Sequence, residues 1–160
     1  MHPLERKLYM LKYIIFSDLH GDKLSLMKIK NLAKQANGVF FAGDGYSAVK
    51  SLDENDLYAV GGNCDIGGAP EMLIEIDGAR ILLTHGHKYG VKSSLLALTL
   101  RAKELDCTAA IFGHTHQPFC SYENDVFLLN PGASSGYGRK TYALMTIDNG
   151  NIKADVLELK

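Results

Sequence analysis

Five short apolar runs in this chain stop at a glycine set beside an aspartate, an asparagine or a histidine. Tyr13-Ile14-Ile15-Phe16 leads into Ser17-Asp18-Leu19-His20-Gly21, and Val39-Phe40-Phe41-Ala42 into Gly43-Asp44-Gly45. Leu57-Tyr58-Ala59-Val60 leads into Gly61-Gly62-Asn63-Cys64-Asp65, and Arg80-Ile81-Leu82-Leu83 into Thr84-His85-Gly86-His87. Ala109-Ala110-Ile111-Phe112 leads into Gly113-His114-Thr115-His116. Continuous β-rich apolar runs of this kind suit strands buried on both faces, so the chain must fold with cover on each side of its sheets. Parallel strands would bring these ends together at one sheet edge, where loops meet. His114 and His116 stand two apart, so in an extended segment both imidazoles point the same way.

The other segments fit around such strands. Leu24, Met27, Leu32 and Ala36 recur near helical spacing, with Asp22 as the expected N-cap and Asn37-Gly38 as the expected end. A short helix is expected near 47–52. Residues 73–76 and 80–83 flank Asp77-Gly78, a strong hairpin signal. Residues 93–105 have the pattern of a helix with Leu95, Leu96, Leu98, Leu100 and Leu105 on its apolar side. Residues 119–122 and 126–129 form two arms around 123–125, and 142–147 and 152–157 flank Asp148-Asn149-Gly150. Residues 1–12 have no clear period and are expected to form a poorly defined leader outside a single domain spanning 13–160. Strand–helix alternation followed by hairpins predicts a layered α/β domain, with two sheets face to face and helices outside.

Charge and composition narrow the function classes. A net charge of −1 offers no basis for a nucleic-acid or membrane-surface partner. No apolar run approaches a membrane span, and the first residues lack the apolar stretch of a signal peptide. Three cysteines without zinc-ribbon spacing are expected to be reduced thiols, which predicts a cytoplasmic protein.

The strand-end residues amount to two carboxylates, one amide and four imidazoles: Asp18, His20, Asp44, Asn63, His85, His114 and His116. Each has an ordinary structural use. Asp18 suits a helix cap, Asp44 a turn, Asn63 a left-handed turn, and His85 and His87 a solvated loop. Together and in this order, those uses would be independent coincidences. Oxygen and nitrogen donors of this kind suit Mn²⁺, Fe, Co, Ni or Zn²⁺ rather than a cysteine-based structural zinc. Seven donors exceed what one tetrahedral ion needs. Two ions about 3.5–4 Å apart, sharing a carboxylate, fit better.

With those blocks in view, the sequence resembles the calcineurin-like metallophosphoesterases, and within them the small bacterial and archaeal phosphodiesterases of the YfcE type. The matching blocks are D-L-H-G at 18–21, G-D at 43–44, G-N-C-D at 62–65, T-H-G-H at 84–87, G-H-T-H at 113–116 and N-P-G at 130–132. The resemblance implies a four-layer α/β/β/α sandwich of two mixed sheets. It implies Asp18, His20 and His116 on one divalent ion, Asn63, His85 and His114 on a second, and Asp44 bridging both. Mn²⁺ is the ion expected, with Ni²⁺, Co²⁺, Fe²⁺ or Zn²⁺ able to take the same donors. The implied reaction is in-line attack on a small phosphodiester by a hydroxide bridging the two cations, with Asn63 also orienting the phosphoryl group. A homo-oligomer, dimer or tetramer, is implied as well.

Departures from the family pattern refine this. Many relatives carry histidine after the motif asparagine, placed to protonate the leaving group. Here that residue is Cys64, expected to be a small packing residue, and a thiol is a poor substitute acid. Substrates needing little leaving-group protonation, such as aryl or nucleotide diesters, are therefore expected. His87 is the alternative proton donor or substrate contact. Ala133 takes the place of the usual serine after N-P-G, with Ser134 next. The fold also serves a retromer subunit, so a non-catalytic protein-binding scaffold is the alternative function. That relative has lost a key histidine, whereas all seven positions are filled here.

Overall fold

The structure, a computed structural model, describes residues 10–52 and 56–160. Among the described residues, ten strands form two five-stranded mixed sheets. In the first, β1 (Leu11–Phe16), β2 (Gly38–Phe41) and β3 (Leu57–Ala59) run parallel, and β9 (Thr141–Asp148) and β10 (Asn151–Glu158) extend it antiparallel on the β1 side. In the second, β5 (Ala79–Thr84), β6 (Ala109–Ile111) and β8 (Val126–Asn130) run parallel. β4 (Glu71–Ile76) and β7 (Phe119–Glu123) form its antiparallel edges.

Period-two alternation divides each apolar run between two layers. Ile15, Phe40 and Ala42 point inward to meet Ile81, Leu83, Ile111 and Leu129, filling the space between the sheets. Ile14, Phe16, Val39 and Phe41 point outward, beneath Ile29 and Ala33 of α1 (Lys23–Ala33). On the opposite face Leu82, Ala110 and Leu128 meet Leu98 and Ala102 of α3 (Leu96–Glu104). With helices outside both sheets, this is the expected four-layer α/β/β/α sandwich. The hairpin turns at Asp77-Gly78 and Asn149-Gly150 have positive φ at both central residues, which matches the twist of the strands they join.

Several local expectations change. Strand β1 begins at Leu11, because Leu11 and Lys12 pair with Ile147 and Thr146 of β9. Residues 1–9 of the expected leader lie outside the described residues. Leu24 and Met27 of α1, and Leu96 and Leu100 of α3, are exposed; the faces that touch the sheets carry Ser25, Ile29 and Ala33, and Leu98, Thr99 and Ala102. Helix α3 starts at Leu96 rather than near Ser93. The short helix α2 covers Tyr46–Val49. Helix α1 ends at Ala33, and Gly38 does not close it. Gly38 opens β2, where an added Cβ would lie 2.5 Å from the Asp56 carbonyl oxygen.

Asp22 caps α1 as expected. Its Oδ1 accepts the Ser25 N–H at 3.0 Å, and its Oδ2 accepts from Lys140 Nζ at 2.8 Å. The Lys140 hydrogen bond, then the Ser25 bond, holds this carboxyl at about 2, against 3.8 ordinarily. A carboxylate with a depressed pKa stabilises the fold fully above its unfolded value, and that contribution is lost as pH falls through the folded value. Asp22→Ala should therefore cost about 1–2 kcal/mol at pH 7. The gap to wild type should close as pH falls from about 4 to 2, which urea midpoints across that range would show.

Candidate metal centre

Every loop carrying a candidate donor leaves the C-terminal end of a parallel strand, and the two sheets present those ends to the same edge. Asp18 and His20 follow β1, Asp44 follows β2, and Asn63 follows β3. His85 follows β5, and His114 and His116 follow β6.

All seven side chains come together. His116 Nε2 lies 3.3 Å from Asp18 Oδ1, and His20 Nε2 lies 3.8 Å from the same atom. His85 Nε2 lies 3.0 Å from Asn63 Oδ1, 3.2 Å from His114 Nδ1 and 3.3 Å from Asp44 Oδ2. Asp44 Oδ2 is also 3.7 Å from His20 Nε2, so this one carboxylate oxygen faces both groups of imidazoles. Asp18, Asp44 and His85 form a buried floor, while His20 and His116 are partly open at the rim.

The backbone is held in unusual shapes to achieve this. Asp18, His20, Asp44, His114 and His116 all have left-handed φ, between 46° and 70°. Left-handed non-glycine residues are uncommon, and such conformations collect at functional sites where surrounding contacts enforce them. The enforcing contacts are cross-loop hydrogen bonds. The Asp18 N–H donates to the Gly43 carbonyl, the Leu19 and His20 N–H groups to the Asp44 carbonyl, and the Gly113 N–H to the His85 carbonyl. The His114 N–H donates to Asp18 Oδ2 at 3.1 Å.

His85 Nδ1–H donates to the Ala42 carbonyl at 2.7 Å, which fixes the tautomer and leaves the Nε2 lone pair facing the cluster. Burial, then the neighbouring His85 ring, holds His114 and His87 below the ordinary imidazole range. Both shifts favour the neutral imidazole. The other oxygen of Asp18, Oδ1, is buried and has no hydrogen-bond partner among the described residues. A solitary buried carboxylate oxygen is costly unless a cation or donor meets it. With imidazole nitrogens on several sides and a second carboxylate beside it, the donor set fits divalent ions.

His87 sits next to the cluster without joining it. Its ring centroid is 5.5 Å from that of His85 and 6.0 Å from that of His114, in the 3₁₀ turn His87–Tyr89. Cys64 is a correction: it is exposed rather than packed, and its thiol lies within 4.8 Å of donor atoms of His20 and Asp44. The Asp44 carboxylate pushes that thiol up, which makes it a still weaker acid.

The residues behind the site were not distinguishable by spacing alone. Asn130 of N-P-G donates through Nδ2 to the Gly113 carbonyl and to Thr115 Oγ1, bracing the turn that carries both histidines. Ser134 donates through N–H and Oγ to the Ser17 carbonyl, and Ser135 Oγ to the Asp18 carbonyl. The N-P-G block itself was the available signal for this bracing.

A family profile described as the calcineurin-like phosphoesterase superfamily domain matches residues 11–150. The chain belongs to that superfamily. It is 30% identical over 142 residues to the probable metallophosphoesterase YsnB of Bacillus subtilis, covering 85% of this chain and 84% of that protein. It is 27% identical over 155 residues to the phosphodiesterase YfcE of Escherichia coli, covering 79% and 80%. A crystal structure of a predicted phosphoesterase from Streptococcus pneumoniae superposes with a TM-score of 0.79 at 27% identity, covering 94% of this chain and 90% of that one. Vacuolar Protein Sorting 29 of Cryptosporidium parvum superposes with a TM-score of 0.77 at 19% identity, covering 94% and 98%, a likeness of fold. Among calcineurin-like phosphoesterases the chain is a metal-dependent phosphoric ester hydrolase by class.

Proposed function

We propose that the protein is a dinuclear-metal phosphodiesterase acting on small phosphodiesters. The observation that carries this is the position of Asp44 Oδ2, within 3.7 Å of His20 on one side and 3.3 Å of His85 on the other. Asp18, His20 and His116 would hold one divalent ion, and Asn63, His85 and His114 the other, with Asp44 shared. Mn²⁺ is the expected ion. Two bound cations would neutralise the phosphoryl oxygens and supply a nucleophile from acidified water at neutral pH.

The chain's own part is positioning. The Ala42 carbonyl orients His85, and Cys64 N–H orients Asp44 by donating to its Oδ1 at 2.9 Å. Asn63 offers Oδ1 to the cluster, and its Nδ2, which donates to Cys64 Sγ at 3.5 Å, has a second N–H to offer a phosphoryl oxygen. The partly exposed rim at His20 and His116 lets a small diester approach directly. The position where many relatives have histidine holds the weakly acidic Cys64, and burial holds the His87 imidazole below its usual range. Less of it is protonated, so His87 serves as a hydrogen-bonding contact more than as a proton donor. The site suits leaving groups that depart without full protonation, which aryl and nucleotide diesters provide. The three thiols are free, in keeping with a reducing, cytoplasmic setting.

The test is hydrolysis of a chromogenic bis-aryl phosphodiester with added Mn²⁺, with and without chelator. Turnover should require the metal. His116→Ala should lower it by more than about 100-fold, beyond the usual cost of losing an outer-shell partner, while circular dichroism stays unchanged. Absence of metal-dependent turnover would favour a non-catalytic scaffold. Retained turnover in the variant would remove His116 from the donor set.

A further inference from the structure

The carboxylate in the loop after β3, Asp65, belongs to no candidate donor group. Asp65 Oδ2 accepts the Asp44 N–H and the Gly62 N–H, each at 2.8 Å. Its Oδ1 accepts the Gly45 N–H at 2.8 Å and the Tyr46 N–H at 3.1 Å. Both oxygens are thus committed to backbone donors from two loops, so Asp65 is no eighth ligand although it stands two residues from Asn63. The left-handed φ of Asp44 and Gly45 curls three successive N–H groups inward, the shape of a backbone nest that binds anions. Here the anion is the protein's own.

The contact is reciprocal. Asp65 grips the backbone of Asp44, and Asp44 Oδ1 accepts the N–H of Cys64, the residue between Asn63 and Asp65. The result is a closed ring of hydrogen bonds joining the loop of the shared carboxylate to the loop of the amide donor. Within it, Asp44 Oδ1 is occupied and Oδ2 is left facing both groups of imidazoles.

We propose that Asp65 is a positioning residue whose carboxylate clasps the Asp44 and Asn63 loops together and so sets the separation and aim of the two metal positions. This rests on the reading of Asp44 and Asn63 as ligands. Asp65→Asn keeps the shape but not the chemistry. Either orientation of the amide turns an NH₂ donor toward two backbone N–H donors.

The experiment titrates metal-stripped wild type and Asp65→Asn with Mn²⁺ by calorimetry, follows hydrolysis of a bis-aryl phosphodiester, and measures amide exchange in the wild type. Wild type should take up two ions. Asp65→Asn should bind at least one of them 10- to 100-fold more weakly, the range for losing a supporting partner. Its kcat should fall by a similar factor, with KM moving less than about twofold, since the substitution removes no substrate-contacting side chain. A variant that binds both ions as wild type does, or loses KM and not kcat, would overturn the proposal. Uptake of fewer than two ions by the wild type would instead overturn the dinuclear reading beneath it. If Asp65→Asn does not fold, the wild-type amides of Asp44, Gly45, Tyr46 and Gly62 decide. Protection well above that of the open-loop glycines 136 and 138 supports the clasp, and exchange as fast as theirs overturns it.

Discussion

Asp44→Asn should abolish metal-dependent turnover while leaving the fold intact. The amide oxygen can still accept the Cys64 N–H that Asp44 Oδ1 now takes, so the loop keeps its shape. What is lost is the negative Oδ2 that faces His20 at 3.7 Å and His85 at 3.3 Å. A neutral amide cannot offset two divalent charges at once, so at least one ion should be lost and turnover should fall by well over about 100-fold. Thermal unfolding gives an independent readout. An ion present at 100 times its dissociation constant stabilises the folded state by about 2.7 kcal/mol, or roughly 5–10 °C for a chain of this size. Wild type should show a rise of that order on adding Mn²⁺, and Asp44→Asn should show a much smaller one. In chelator the order should invert or level. Asp18 and Asp44 are two buried carboxylates set among the same imidazoles, and without cations their mutual repulsion disfavours the folded state. A variant that keeps the full metal-induced shift would show that Asp44 is not shared between two ions.

The parts of this architecture that were legible in the sequence are those governed by local pattern. A run such as Ile14-Ile15-Phe16 is apolar throughout because alternate residues face different layers, and that demand is visible without knowing the partners. The seven side chains that cluster were legible because each closely follows such a run. Helix faces were not. Apolar spacing pointed to Leu24, Met27, Leu96 and Leu100, yet those are exposed and the faces against the sheets include the buried Ser25 and Thr99. Thr99 is tolerated there because its hydroxyl donates to the Leu95 carbonyl. Hydrophobicity alone cannot see a local bond of this kind. Nor can it see Asn130 bracing Gly113, or Asp65 joining two loops, since those depend on which strand ends become neighbours in space. The start of β1 failed to show for the same reason. Leu11 and Lys12 are strand residues because β9, some 130 residues later, offers them partners.

Gly113→Ala should be among the most damaging single-methyl changes in the chain. Gly113 lies outside the residues with left-handed φ, so alanine meets no conformational penalty there. Space alone forbids it. An added Cβ would lie 2.0 Å from Ser17 Oγ, 3.0 Å from Ser17 Cβ and 2.9 Å from Asp18 Oδ2. Ser17 and Asp18 are fully buried, and Ser17 Oγ donates to Asp18 Oδ2 at 2.8 Å, so neither can move without disturbing the other. Overpacking of this kind costs about 1–3 kcal/mol. The larger consequence is for the site, because Asp18 Oδ2 also receives the His114 N–H. Pushing Asp18 aside displaces Oδ1 from His116 and loosens the turn carrying both histidines. Turnover should therefore fall by more than about 100-fold, with a loss of affinity for the ion expected at Asp18. Ser17→Gly removes both of the closest Ser17 atoms, so the Ser17→Gly/Gly113→Ala pair should recover part of the stability and of the metal affinity lost in Gly113→Ala alone. A double-mutant cycle would measure that coupling. Additive losses would mean that the methyl acts elsewhere. Recovery would show that the ends of β1 and β6 are spaced by a side chain that is absent, and that this spacing holds Asp18 against His116.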